Sequence, residues 1–60
     1  MTALKREIKK LGIKQITLAK RLGISAAAVS LQAKNGIKMV NSAKKYGSAM
    51  GCDPRLLLDL

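Results

Sequence analysis

Glycine divides this chain into short segments, and this spacing limits the secondary structure that the chain can form. Gly12, Gly23, Gly36 and Gly51 each follow a stretch with helical periodicity. Glycine is the residue that most readily takes the left-handed conformation found just beyond the end of a helix. The pattern therefore predicts several short helices that each end at a glycine, rather than a few long ones.

Apolar residues within these segments recur at the spacing of an α-helix. In the first segment, Leu4, Ile8 and Leu11 fall at positions i, i+4 and i+7 and form one apolar stripe. Residues that favour the N-cap position precede three of the segments, namely Thr2, Ser25 and Asp53. We predict helices at Ala3–Leu11, Gln15–Leu22, Ala26–Lys34, Ser42–Met50 and Pro54–Leu58.

The fold class follows from these helices. We predict an all-α, compact bundle of about five short helices. Gly47 lies inside the fourth helix, which indicates either close packing at that point or that this segment is not helical. We expect a loop at residues 37–41, although the weak alternation of Ile37–Val40 also permits a strand. The alternative is therefore an α+β fold with a C-terminal hairpin.

Length and composition exclude several classes of protein. Sixty residues form one small domain, 1–60, with no His and with three acidic residues, so we expect no enzyme, no catalytic residue and no small-molecule ligand. One cysteine, Cys52, excludes a disulfide within the chain, and we expect a small buried side chain there. No metal and no cofactor is expected. A lone cysteine without a leader-like apolar run indicates a cytoplasmic protein.

Positive charge is concentrated in the first three quarters of the chain. The formal net charge is +9, from 12 Lys and Arg against three acids. Residues 1–45 hold eleven of the basic residues and one acid, Glu7, which gives +10. Such a field attracts polyanions, of which nucleic acid is the commonest and an anionic membrane the second. A cationic membrane-active peptide is therefore an alternative function, which the lack of Trp and Phe disfavours.

The most informative stretch is Gln15 to Ser30, QITLAKRLGISAAAVS. A small residue, Ala19, permits a close helix crossing, and Gly23 supplies a positive φ for the turn. We expect Ile24 to fill the angle between the helices and Val29 to pack back onto the first helix. This pattern resembles the helix-turn-helix DNA-binding domains of phage Cro proteins and repressors, with relatives among small bacterial regulators and antitoxins. The resemblance covers roughly residues 3–58.

The resemblance implies a function and a set of contacts. It implies a transcriptional regulator, repressor-like and usually dimeric, that inserts helix 26–34 into the major groove of double-stranded DNA. The base-facing positions would be Ala26, Ala27, Ser30 and Leu31. Because alanine can contact only a thymine methyl group, we expect low sequence specificity biased toward thymine. We expect phosphate contacts from Lys14, Gln15, Lys20, Arg21, Lys34 and Lys38.

Three further sets of residues carry expectations. Gln32 stands where relatives often bury a large apolar residue, so it is either exposed or bonded locally. Met39, Tyr46 and Met50 are expected to fill the core. The leucine-rich C-terminal run predicts a homodimer surface formed by Leu57, Leu58 and Leu60. An antitoxin-like regulator that binds a protein partner through the same leucines is the remaining alternative.

Overall fold

The computed structural model describes residues 2–59. Within this range the chain forms four α-helices and a 3₁₀ turn, so the all-α prediction is confirmed. The last predicted helix is the 3₁₀ turn, which leaves four α-helices rather than five. The hairpin alternative is wrong, because the described residues contain no β-strand and pair only at one bridge, Ile37 with Leu58. The elements are α1 (Ala3–Leu11), α2 (Gln15–Leu22), α3 (Ala26–Asn35), α4 (Val40–Met50) and the 3₁₀ turn Pro54–Leu57.

Helix boundaries agree with the sequence where a capping side chain marks them. Thr2 accepts a hydrogen bond from the N–H of Lys5 at 3.2 Å, and Ser25 accepts one from the N–H of Ala28 at 3.1 Å. The helix α4 begins at Val40, two residues before the predicted Ser42. Its N-cap is Met39, whose side chain makes no capping hydrogen bond, so the sequence carries no signal for this boundary.

Every element contributes a fully buried apolar side chain to the core, and on α4 this residue is Ala43. The helices α1, α2 and α3, the connection after α3 and the 3₁₀ turn contribute Leu4, Leu18, Val29, Ile37 and Leu57 in turn. Tyr46 and Met50 are buried on α4, as predicted. Met39 is 66% exposed, so its assignment to the core was wrong. As the N-cap residue of α4, it lies outside the face that this helix packs inward.

Gly47 allows the 3₁₀ turn to pack closely on α4. A Cβ atom at Gly47 would lie 2.9 Å from the backbone oxygen of Cys52 and 3.1 Å from Cγ of Pro54. The oxygen of Gly47 also accepts a hydrogen bond from the N–H of Cys52 at 3.0 Å. The close packing expected from an interior glycine is therefore confirmed.

One end of the described chain bonds to the last turn of α3, and the other bonds to the segment just after it. The Thr2 hydroxyl donates a hydrogen bond to the backbone oxygen of Ala33. The N–H of Asp59 donates to the oxygen of Ile37 at 2.8 Å, beside the Ile37–Leu58 bridge. These bonds hold α3 from its C-terminal end and leave its N-terminal half free of such attachments.

Candidate nucleic-acid interface

The residues between α2 and α3 form a tight turn, 23–25. Gly23 has φ +71°, the left-handed conformation that the turn requires. The N–H of Ile24 donates to the oxygen of Ala19 at 3.0 Å, and both Ala19 and Val29 are buried. Ile24 is 41% exposed, so it only partly fills the angle between the helices. Its backbone N–H is thus bonded to α2, while its side chain is partly exposed to solvent.

The helix α3 has one buried face and one outward face. Val29 and Ala33 point into the core, one helical turn apart. The four expected base-facing residues all lie on the exposed side: Ala26, Ala27, Ser30 and Leu31. Leu31 is 60% exposed. The outward face therefore presents small residues at the start of α3 and an apolar side chain one turn later.

Gln32 makes a local hydrogen bond, one of the two outcomes expected for it. It is half-buried, and its side-chain amide donates to the backbone oxygen of Gly36. The N–H of Gly36 donates in return to the oxygen of Gln32 at 2.8 Å. Gln32 thus closes the C-terminal end of α3 instead of entering the core.

The N-terminus of α2 differs from those of α1 and α3. Lys14 is in the N-cap position with an extended backbone, and its side chain makes no capping hydrogen bond. Gln15, the first residue of α2, is half-buried. The backbone N–H groups in the first turn of a helix have no partners within the helix. This turn can therefore receive an anion from outside the chain.

The expected cationic contacts are exposed, and acids do not neutralise them. Across residues 2–59 the one ion pair joins Asp53 and Arg55 at 2.8 Å. Arg21 is the exception to the expected arrangement, because its Nη1 donates to the backbone oxygen of Ala49 at 2.9 Å. This bond directs Arg21 toward α4 instead of leaving it free beside the turn. The other exposed cations of the set are Lys14, Lys20, Lys34 and Lys38.

Asp53 and Arg55 neutralise each other's charge. Hydrogen bonds from the Arg55 side chain and backbone hold the pKa of the Asp53 carboxyl below its ordinary value. The same contact raises the pKa of Arg55. Both groups therefore stay ionised at neutral pH, and the pair adds no net charge to the basic surface.

The predicted leucine surface is wrong at Leu57. Leu57 is fully buried, Leu58 is half-buried, and Leu60 lies outside the described residues. The 3₁₀ turn explains this result, because residues about three apart lie above one another in such a turn. Pro54 packs on Gly47, and Leu57 follows it inward. The leucine that faces outward is Leu56, which is 50% exposed.

Two lysines that the sequence reasoning did not select also face solvent near Arg21. Lys44 and Lys45 lie on α4 and line a cleft together with Arg21. Helical spacing could have predicted that these two lysines are exposed, since Ala43, Tyr46 and Gly47 occupy the buried side of α4. Spacing alone does not show that α2 would bring a third cation to this place.

The described residues provide few other groups that could bind a metal or react. Within the described range, no group of three or more His, Cys, Asp or Glu residues could hold a metal ion. Cys52 is half-buried rather than fully buried. None of the helices formed by residues 2–59 has both the length and the apolar character needed to cross a membrane.

Comparisons of the chain with protein-family models, with curated proteins and with solved structures found no match. The function has to be inferred from the residues themselves. The features that bear on it are the outward face of α3, the uncapped start of α2 and the exposed lysines around them.

Proposed function

We propose that this chain binds double-stranded DNA with a bias in sequence and acts as a repressor-like transcriptional regulator. The observation that carries the proposal is the outward face of α3, where Ala26, Ala27, Ser30 and Leu31 are all exposed. Lys34 is exposed on the same helix, and Lys14, Lys20 and Lys38 are exposed on neighbouring segments. None of these lysines has an acidic partner among residues 2–59. In the proposed complex, α3 enters the major groove with its N-terminal residues toward the bases.

The small residues at the start of α3 favour close approach to DNA. The major groove is about 12 Å wide, and a helix with its side chains measures about 10–12 Å across. Ala26 and Ala27 add little to the width of α3 at the point where it enters. Their position on the outward side therefore suits deep insertion of α3. Alanine side chains, however, cannot form hydrogen bonds to base edges.

Base recognition in this complex is weak and mostly apolar. Ala27 and Leu31 can contact the methyl group of thymine, and the Ser30 hydroxyl can donate or accept one hydrogen bond. A serine discriminates poorly among bases because it lacks the paired groups of Arg, Asn or Gln. We expect a preference for sites that contain thymine, with a contribution from DNA shape.

Phosphate contacts supply most of the affinity. Gln15 and the first-turn N–H groups of α2 bind one phosphate, which the missing side-chain cap at Lys14 leaves accessible. Lys14 adjoins this turn as the N-cap residue, whereas Lys20 lies in the last turn of α2. Lys34 and Lys38 flank the C-terminal end of α3. Such contacts position the protein but carry no sequence information directly.

One copy is too small to reach two successive major grooves. The longest dimension of the molecule is 25 Å, and half-sites on one side of the duplex lie about 34 Å apart. We propose that two copies bind adjacent half-sites as a homodimer. Because Leu57 is buried, the surface between the copies uses other side chains, and Leu56 is available to it.

The test uses a substitution that blocks insertion of α3 into the groove without destabilising the helix. Ala27→Glu places a negative charge on the outward face, within the first turn of α3, where an acid stabilises the helix. Lys5→Gln, on the exposed side of α1, is the control because it also lowers the net charge by one. Binding is measured by fluorescence anisotropy with duplexes selected from a random pool, at several salt concentrations.

We expect Ala27→Glu to weaken duplex binding by at least about tenfold, since a carboxylate directed into the groove meets the acceptors and phosphates of DNA. Lys5→Gln should change binding by less than about threefold. Equal effects of the two substitutions would reject insertion of α3. If no duplex binds the native chain even at low salt, the proposed function is wrong.

A further inference from the structure

A cleft between α2 and α4 gathers basic side chains away from the outward face of α3. It is shallow and widely open to solvent, with a volume of about 800 Å³, and no residue of α3 lines it. The lining residues are Arg21, Leu22, Lys44, Lys45, Ser48 and Ala49. The cleft is therefore a second cationic surface, formed by different elements from those that carry the proposed base contacts.

The packing of α4 determines which side chains reach the cleft. This helix buries Ala43 and Gly47 in the core, so Lys44, Lys45 and Ser48 are left on its exposed side. Arg21 reaches across from α2 and is held by the hydrogen bond from its Nη1 to the oxygen of Ala49, 2.9 Å long. The bond orients the guanidinium and leaves its other N–H groups available, since arginine has five.

The charged side chains that line the cleft are all of one sign. Three cations line it, and no acid is among the lining residues. Placing like charges together is unfavourable, and a cleft concentrates their field. Arg21 is in the last turn of α2, where the helix dipole stabilises a cation. Lys44 and Lys45 lie in the middle of α4, where the helix dipole gives no such stabilisation.

We propose that the α2–α4 cleft binds a phosphate-bearing anion with more than one phosphate group. The arginine fork and two ammonium groups suit oxyanions, and the Ser48 hydroxyl can donate a further hydrogen bond. Three cations and the open volume accommodate adjacent phosphates better than a single one. The source is either a free oligophosphate or consecutive phosphates of a nucleic-acid backbone, which share this chemistry.

The first experiment uses inorganic tripolyphosphate and the full chain, without DNA. In a titration followed by ¹H–¹⁵N NMR, we expect saturating shifts at the amides of Arg21, Lys44, Lys45 and Ser48. The substitutions Lys44→Gln and Lys45→Gln together should weaken this binding by about tenfold, because each removes a charge-assisted hydrogen bond while glutamine preserves helix propensity. Lys9→Gln with Lys10→Gln is the control, with the same loss of charge on the exposed side of α1.

Shifts that spread evenly over the basic residues without saturating would overturn the proposal. Equal weakening by the two double variants would overturn it as well, since net charge alone would then explain binding. Circular dichroism of each variant verifies that α4 is intact. If the cleft variant unfolds, Ser48→Asp, which introduces a negative charge at the exposed edge of the cleft, gives the same test.

A second arm separates the two sources of phosphate. If a duplex displaces tripolyphosphate, and the Lys44→Gln, Lys45→Gln chain binds that duplex more weakly, the cleft takes backbone phosphates. If the duplex and tripolyphosphate bind together, the cleft takes a free oligophosphate. The outcomes also separate this proposal from the proposed function, because tripolyphosphate binding can persist when duplex binding fails, and the reverse.

Discussion

The carboxylate of Asp59 accepts a hydrogen bond from the backbone N–H of Ala3 at 3.1 Å, across 56 positions of the chain. Ala3 is the first residue of α1, so Asp59 satisfies a helix N–H that has no partner within the helix. The N–H of Asp59 itself is bonded to Ile37. Asp59, two residues after the 3₁₀ turn, thus joins the start of α1 to the segment that follows α3.

We expect Asp59→Ala to lower the free energy of unfolding by about 1–2 kcal/mol, because it removes both a capping acceptor and a negative charge at a helix N-terminus. Asp59→Asn keeps an acceptor and should lose less. Urea unfolding followed by circular dichroism measures the difference. Equal stabilities of the alanine variant and the native chain would show that this bond contributes nothing net.

Gly47→Ala should destabilise the chain by about 1–3 kcal/mol, although alanine normally favours a helix. The reason is the backbone oxygen of Cys52, which would lie 2.9 Å from the new Cβ atom and belongs to a segment fixed by its own hydrogen bond. Ser48→Ala, on the exposed side of the same helix, is the control and should be neutral or slightly stabilising. Thermal unfolding of both variants gives the comparison. A stabilising Gly47→Ala would mean that the 3₁₀ turn moves away at little cost.

Local signals account for the parts of the fold that the sequence predicted correctly. Thr2 and Ser25 cap their helices through bonds to residues three positions later, and Gly23 ends α2 without help from distant residues. The exposed side of α3 was predictable for a similar reason. Once Val29 and Ala33 point inward, the helix geometry directs Ser30 and Leu31 outward.

The errors arise where distant segments decide the outcome. Leu57 is buried because the 3₁₀ turn packs on α4 and α1, and nothing in a run of leucines distinguishes it from Leu56. The α2–α4 cleft was missed because Arg21 and Lys44 are far apart in sequence. Only the packing of α2 on α4 brings them to one place.

Cys52 should react slowly with alkylating reagents in the folded chain. Burial, and then the negative charges of Glu7 and Asp53, raise the pKa of its thiol above the ordinary value. The folded state therefore retains the proton to higher pH than the unfolded state. The stability that this gives is present below the unfolded pKa and is lost as pH rises through the folded pKa.

The measurement for Cys52 is the pH dependence of iodoacetamide labelling, in buffer and in urea. We expect the midpoint in buffer to lie at higher pH. Glu7→Gln should lower it, because the substitution removes one of the two negative charges. Identical profiles in the two solvents would show that folding leaves the thiol unperturbed.

Substitution of Lys34 distinguishes a phosphate contact from base recognition. It lies exposed on α3, one helical turn beyond Ser30 and past the residues expected to meet bases. If it contacts a phosphate, Lys34→Gln weakens all duplexes alike and reduces the slope of log affinity against log salt by about 0.9, the value for one neutralised phosphate. Ser30→Ala should instead change the ranking of duplexes by affinity while the salt slope stays constant.

Lys9→Gln on α1 controls for net charge and should leave both the ranking and the slope unchanged. A Lys34→Gln chain that re-ranks duplexes at constant slope would place this lysine among the base contacts, and α3 would then enter the groove further along its length than proposed.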